Sequence, residues 1–217
     1  MRSVLVIGLG RFGRHLATNL SNLGNEVMVI DIDENAVNKL APIATAAQIG
    51  DCTDEIVLKE LGVSNFDLCF VCISHDLEAS MIITMTLKEL GAKKVITKVN
   101  QDIHVKFLLS NGADNVIYPE RDMAFRTAMK YSAQRAFDYV ELSEHYGIFE
   151  IEPPAGWIGR SLTDINVRKN YHVNIIAYKY HDLIMPLDNG DYYFAADQHL
   201  IVAGDMKNFH QLIQKDL

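Results

Sequence analysis

The sequence predicts an α/β protein: a doubly wound, Rossmann-type parallel sheet followed by a small α+β module. Three observations carry that expectation. A glycine turn joins an apolar run to an amphipathic pattern close to the first residue. Strand and helix patterns then alternate as far as Pro119. From about Tyr139 the texture changes to short strand patterns with little helix between them. Strands alternating with helices imply a parallel sheet covered on both faces. Its connections should be right-handed and its order 3-2-1-4-5-6, which opens a ligand crevice beside the first strand.

The elements follow in order. Val4 to Ile7 is the β-branched, wholly apolar run of a strand buried on both faces. Gly8-Leu9-Gly10-Arg11-Phe12-Gly13 fits G-x-G-x-x-G, and Phe12, Leu16, Leu20 and Leu23 continue at helical spacing. Strand, glycine turn and helix are the context that this fingerprint requires. Gly8 allows the tight turn, Gly10 lets a pyrophosphate approach the backbone, and Gly13 lets helix and strand pack closely. The helix N-terminus adds free N–H groups and a partial positive charge. Glu26–Ile30 reads as the second strand, with Asp31 at its end. A carboxylate there accepts hydrogen bonds from ribose hydroxyls and repels a 2′-phosphate, which disfavours NADP. The alternative is that Asp31 and Asp33 cap the helix beginning near Glu34.

Further strands begin near Thr45, Leu68, Val95 and Val116. Helical patterns cover Glu34–Ala41, Asp54–Leu61, Leu77–Leu90 and His104–Asn111, and Gly24, Gly62, Gly91 and Gly112 fall just past helix ends. After Pro119, residues 120–138 read as one long helix. Met123, Ala124, Ala128, Met129 and Tyr131, with Phe125 and Ala133 elsewhere around it, leave little polar face. Such a helix is a dimerisation element or packs into a core. The N-terminal domain is therefore taken as residues 1–138 and the second as 139–217. In the latter, strands are expected at Val140–Leu142, Ile148–Ile151, Val173–Tyr180, Leu183–Pro186 and His199–Ala203. Ser161–Tyr171 reads as a short helix or extended turn, and Asp205–Lys215 as a terminal helix capped by Asp205.

Bulk properties narrow the function. A net charge of -8 without a basic cluster argues against nucleic acid. No apolar stretch approaches the ~20 residues needed to span a bilayer, and no targeting segment precedes the first strand, so any membrane connection runs through a partner. Cys69 and Cys72 form C-x-x-C, but inside an apolar strand their Cα atoms lie about 10 Å apart on opposite faces. With Cys52 they read as buried thiols of a reduced, cytoplasmic chain.

Catalytic patterns are missing. Tyr-x-x-x-Lys does not occur, and the eight histidines form no recognised constellation. Polar residues gather instead where strands end: Gly50 and Asp51 after the third, Ser74 and His75 after the fourth, Lys98 and Asn100 after the fifth. Asp51 is placed to hold an adenosine and Lys98 to reach a phosphate, or each is a solvated loop residue. Arg11, inside the glycine turn, either meets a terminal phosphate, which ATP has and NAD lacks, or points into solvent.

VIGLGRFG, VIDID, IGDCTDE with LKELGV, LEASMIITMTLKELGAKKVITKV and GADNVIYPERDMA, taken in order, resemble the KTN/RCK family of nucleotide-binding regulators of potassium channels and transporters. SLTDINVRKNYHVNIIAYKY through DQHLIVAGDMKNF is similar to its appended TrkA-C (RCK-C) module, beside a TrkA-N (RCK-N) first domain. The likeness is to the KtrA-like regulatory subunits of potassium uptake systems. It implies dimers assembled into a ring, commonly an octamer, beneath a membrane-embedded potassium-translocating subunit. It also implies ATP and ADP favouring different ring shapes, with NAD or NADH able to use the same crevice. By position, Gly8, Gly10, Arg11, Phe12 and Gly13 would line the phosphates. Asp31 with Ile32 would hold the ribose, and Asp51 with Cys52, Ser74 and Lys98 would flank the nucleotide. Glu120, in YPERDM, matches a glutamate at the dimer interface that helps bind an activating divalent or monovalent cation. Cyclic di-AMP would meet the second module at its dimer interface, through Ile158, Leu162, Asn166, Arg168, Tyr171, Ile175, Ile176 and Pro186, although DLIMPLDNG differs from familiar members. The alternatives are an NAD-dependent oxidoreductase and a soluble NAD/NADH redox sensor.

Overall fold

The computed structural model describes residues 1–132, 136–143, 145–181, 183–187 and 192–214. The chain divides into two compact units, Met1–Arg121 and Asp122–Leu217.

In the first unit β1 (Ser3–Ile7), β2 (Glu26–Asp31), β3 (Ala46–Ile49), β4 (Leu68–Val71), β5 (Val95–Lys98) and β6 (Asn115–Ile117) form one parallel sheet. Its order is β3-β2-β1-β4-β5-β6, as the alternation predicts. The helices between them are α1 (Arg11–Asn22), α2 (Glu34–Leu40), α3 (Glu55–Leu61), α4 (Leu77–Glu89) and α5 (Asp102–Ser110). Successive residues of β1 feed opposite cores. Leu5 and Ile7 pack with Ile30, Leu58, Ile83 and Leu87, while Val4 and Val6 pack with Ala17, Val27 and Val37. Cys69 belongs to the first cluster and Cys72 to the second, so the C-x-x-C pair does straddle the sheet. All three cysteines are buried and free, and burial is the main cause that pushes each thiol up to about 12. Asp33, Asp54 and Asp76 cap α2, α3 and α4 through backbone N–H groups, which sets where each loop ends.

α6 (Pro119–Ser132) is shorter than the helix expected over 120–138. Residues 133–135, with Ala133, lie outside the described residues. The chain from Ala136 is strand β7 (Ala136–Ser143), whose backbone pairs Ala136 with Ile151 and Asp138 with Glu150 of β8 (Tyr146–Ile151). A helical pattern with no proline or glycine to stop it is overridden there by cross-strand pairing.

The second unit continues with α7 (Leu162–Ile165), α8 (Val167–Tyr171), β9 (Val173–Tyr180), β10 (Leu183–Pro186), β11 (Gln198–Asp205) and α9 (Met206–Gln214). Its antiparallel sheet has the order β10-β9-β11-β8-β7. Phe149, Trp157, Phe194, Leu200, Val202 and Phe209 build its core. Asn166, at φ 49, breaks the expected Ser161–Tyr171 helix into α7 and α8. The Asp205 carboxylate accepts the Lys207 N–H at 2.8 Å, the expected cap of α9; Lys215 lies outside the described residues.

Candidate functional site

The C-terminal ends of the parallel strands converge on one cavity of about 560 Å³. β1 delivers the glycine turn. Gly8 sits at φ +89, where only glycine is unstrained, and donates its N–H to the Ile30 carbonyl at 3.0 Å. Gly10 begins α1 without a side chain to fill the space before it. Gly10, Arg11 and Phe12 line the cavity. Gly13 does not. It lies beneath the turn, where a Cβ would stand 2.0 Å from the Gly8 carbonyl oxygen.

β2 delivers Asp31. Its carboxylate accepts the Leu9 N–H through one oxygen and the Asp33 N–H, at 2.9 Å, through the other. Asp31 therefore faces the glycine turn, and Asp33 alone of the two caps α2. A carboxylate oxygen has two acceptor directions, so Asp31 keeps capacity for a ligand. Ile32 beside it lines the cavity and is exposed.

The turn after β3 supplies Gly50, Asp51, Cys52 and Thr53. The Thr53 hydroxyl donates to Asp51 at 2.7 Å and is the main cause that lowers its carboxyl from the ordinary value; the Thr53 N–H adds to it. β4 leads into Cys72, Ser74, His75 and Asp76.

β5 ends at Lys98, and Glu120 stands in the first turn of α6. The Lys98 ammonium donates to Ser74 Oγ at 3.0 Å and to Glu120 Oε1 at 2.8 Å, and lies 6.0 Å from the centre of the Phe12 ring. The two partners differ in burial: 7% of the Lys98 side chain is exposed against 60% of Glu120. The Lys98 hydrogen bond is the main cause that holds the Glu120 carboxyl below its ordinary value.

Of the residues predicted for a nucleotide, all but Gly13 thus line one cavity, and Glu120 joins them. The sequence reading missed Thr53, Asp76 and Ala79. Asp76 immediately precedes the α4 pattern, which is a signal for a helix cap, but nothing in the sequence aims it at the cavity. The lining carries Arg11 and Lys98 against Asp31, Asp51, Asp76 and Glu120, a formal charge of 2 − 4 = −2.

A second, shallower cavity of about 280 Å³ lies in the second unit between α7, α8 and β9. Leu162, Asn166, Arg168 and Ile175 line it. The other residues named for cyclic di-AMP, a ligand expected at an interface between two copies, lie outside this cavity: Tyr171 packs edge-on against Trp157, Ile158 and Ile176 are exposed, and Pro186 of β10 pairs with Ala177 of β9.

A 3-2-1-4-5-6 parallel sheet with a G-x-G-x-x-G turn and an acid closing the second strand defines a Rossmann-type domain, here joined to a small α+β unit. Comparison with known proteins narrows the class. Residues 4–119 match the TrkA-N domain and residues 147–215 the TrkA-C domain. The chain is 47% identical over 174 residues to "Ktr system potassium uptake protein C" of Bacillus subtilis (strain 168), covering 80% of this chain and 79% of that one. It is 39% identical over 176 residues to "Ktr system potassium uptake protein A" of the same organism, covering 81% and 79%. Among solved structures, the GsuK channel matches all of this chain with a TM-score of 0.71 at 18% identity, and the GsuK channel bound to NAD with 0.63 over 98% of it. Those likenesses show the fold, and the chain spans about two-fifths of the GsuK chains (40% and 39%). The chain belongs to the TrkA-N/TrkA-C family of the Ktr potassium uptake proteins.

Proposed function

We propose that this chain is a nucleotide-binding regulatory subunit of a Ktr-type potassium uptake system, cytoplasmic and peripheral to a membrane-embedded translocating subunit, and that it works by binding without turnover. One observation carries the reading: a single cavity gathers the glycine turn, the Asp31 carboxylate, Arg11 and Lys98 at the strand ends. Backbone N–H groups at the start of α1 suit a diphosphate, and Asp31 suits the ribose. ATP or ADP is the favoured ligand, because Arg11 and Lys98 give the cavity two cations for a terminal phosphate. NAD or NADH fits the same glycine turn and acid.

The excess of acids in the lining favours a cation carried in with a polyphosphate. Glu120 is the residue for it, but one chain offers only part of a site. Among the described residues no group of three or more acidic, histidine or cysteine side chains comes together to hold a metal ion. The remaining ligands would be phosphate oxygens or a second copy. α6 supports assembly as dimers and then a ring, octameric in the family reading: Met123 and Tyr131 are 61% and 80% exposed. No helix among the described residues is long and apolar enough to cross a membrane. Arg168 at the second cavity is the residue favoured for cyclic di-AMP.

The test is calorimetric titration of ATP, ADP, NADH and cyclic di-AMP, each with and without magnesium or calcium. Co-purification with a membrane potassium transporter and the particle mass with ATP and with ADP complete it. The reading requires ATP and ADP binding without hydrolysis; adenine nucleotides that fail to bind would overturn it.

A further inference from the structure

The loop after β4 carries one titratable side chain that has no task in the nucleotide reading. That loop is fixed against the glycine turn: the Cys72 N–H donates to the Ile7 carbonyl at 2.7 Å, and a Cβ on Gly8 would stand 2.8 Å from Ile73 Cγ1. Further along, Ser74 Oγ accepts from Lys98 at 3.0 Å, and the Asp76 carboxylate accepts the Ala79 N–H at 2.9 Å. His75 stands between those two anchors, lines the cavity and is exposed. Among the described residues it makes no hydrogen bond or ion pair, so its ring is available to a ligand. Of the charged groups in the lining, Arg11 and Lys98 oppose a proton on His75, and Asp31, Asp51, Asp76 and Glu120 favour one. Burial keeps the Cys52 and Cys72 thiols of the same lining neutral. Glu78 follows in the first turn of α4, and His104 of α5 lines a small void with Ser74 and Lys98. A nucleoside diphosphate adds about two to three negative charges to this balance, beside the glycine turn.

We propose that His75 is a further ligand-binding residue of the cavity: its imidazole takes a proton from solvent as an anionic nucleotide enters, and donates an N–H to the phosphate chain. Histidine is the side chain whose charge changes between about pH 5 and pH 8, and a nearby anion favours its charged form. The extra cation therefore arrives with the ligand. Without one, the lining keeps its excess of acids; with one, it gains a third cation beside Arg11 and Lys98. Protonation and binding favour each other by linkage, so a nucleotide binds more tightly as the pH falls through the histidine range. The inference rests on the nucleotide reading of the cavity and adds to it a coupling to pH.

The experiment is calorimetric titration of ADP in chelator, between about pH 6 and pH 8 and in buffers of different ionisation enthalpy, for the wild type, His75→Gln and His75→Lys. The buffer dependence of the heat reads the protons taken up per site. Near neutral pH the wild type should take up about 0.3–0.5 proton per site more than His75→Gln, a difference from which the titration of the ADP phosphate itself cancels. From about pH 6 to pH 8 the affinity of the wild type should fall about 3- to 10-fold more than that of His75→Gln. His75→Lys carries its charge throughout, so it should lose the extra uptake and, at about pH 8, bind ADP several-fold more tightly than the wild type. A merely structural role for His75 would move neither the uptake nor the rescue by lysine. Because His75 is exposed, both variants should melt with the wild type. If the wild type does not bind ADP across this range, the reading of the cavity itself fails. If it binds, and its proton uptake and pH dependence match those of His75→Gln, the nucleotide reading stands and this inference is overturned.

Discussion

Two glycines of one turn should fail in opposite ways when replaced by alanine. A Cβ on Gly13 would stand 2.0 Å from the Gly8 carbonyl oxygen, 3.1 Å from the Gly8 carbonyl carbon and 3.2 Å from the Cys72 Cβ. None of these atoms can swing aside on a flexible side chain, so α1 must move away from β1 by about 1 Å before ordinary contact is restored. That movement pulls on the Gly8 N–H bond to Ile30 and on the Leu9 N–H bond to Asp31. The cost belongs at the top of the overpacking range, about 3 kcal/mol, which lowers Tm by roughly 6–12 °C for a chain of this size. Gly10 is the control. Its φ of −61 suits any residue, and an added Cβ would meet nothing within 4 Å. Gly10→Ala should therefore hold stability within about 1 kcal/mol. It should lose at least about tenfold in ATP affinity, because the methyl occupies the line of approach of the phosphates. Thermal melts by circular dichroism and ATP titrations on both variants read the two effects. A Gly13→Ala protein melting within about 2 °C of wild type would refute the packing argument. Unchanged ATP binding by Gly10→Ala would refute the approach of phosphate to that backbone.

Three further outcomes follow from the same contacts. The Thr84 and Thr97 hydroxyls, both fully buried, bond only at 3.0 Å to each other among the described contacts; Thr84→Val should cost about 1–3 kcal/mol in urea unfolding, and Thr84→Val/Thr97→Val should recover much of it. In the second unit Glu150 accepts from Lys179 at 3.0 Å and from His199 at 2.7 Å; burial alone would raise its carboxyl, but the His199 and Lys179 hydrogen bonds outweigh it and lower it from the ordinary value. Its contribution is thus full above about pH 4.5 and lost as the pH falls through its lower folded value, so Glu150→Gln should flatten the acid limb of the stability of that unit below about pH 4.5, and an unchanged acid limb would count against it. Asp31→Asn should narrow the preference for NADH over NADPH in fluorescence titrations, because the charge that repels a 2′-phosphate is gone; a constant ratio would mean that Asp31 does not meet the ribose.

The first unit was legible because its signals are local and agree with one another. An apolar run, a glycine turn and a 3.6-residue pattern repeat with caps at each end, so the strand order followed from topology rules. Asp31 was legible as a strand-end acid, but its dual task was not. That it anchors Leu9 and Asp33 depends on how the β1 turn and the β2 turn meet, which no local pattern encodes. The Lys98–Glu120 pair was hidden for the same reason: it joins the end of β5 to the start of α6, and the sequence presents Lys98 as a free cation and Glu120 as a helix-start acid. The overlong helix over 120–138 shows the opposite failure. Its pattern is locally consistent, and only pairing of Ala136 and Asp138 with β8 decides against it.

A ligand moves a protein between two states only through contacts that differ between them. Three of the four acids lining the cavity already hold backbone: Asp31 holds Leu9 and Asp33, Asp51 holds Thr53, Asp76 holds Ala79. Those bonds need not change when a nucleotide hydroxyl donates to the remaining acceptor capacity of the same oxygens, so these residues can supply affinity but little bias. Lys98 is different: its anionic partner Glu120 is largely exposed and stands at the first turn of α6. Shifting a two-state assembly from 1:99 to 99:1 takes about 5.5 kcal/mol of differential binding. Divided over the ring of eight proposed above, that is about 0.7 kcal/mol per site if the sites add. One exchanged charge-assisted hydrogen bond is of that size after screening, and the rest of the cavity need contribute nothing to the switch. On the proposed reading affinity and control fall to different residues: the glycine turn and Asp31 hold the nucleotide, and control comes from whichever contacts at the Lys98–Glu120 end of the cavity differ between the two states.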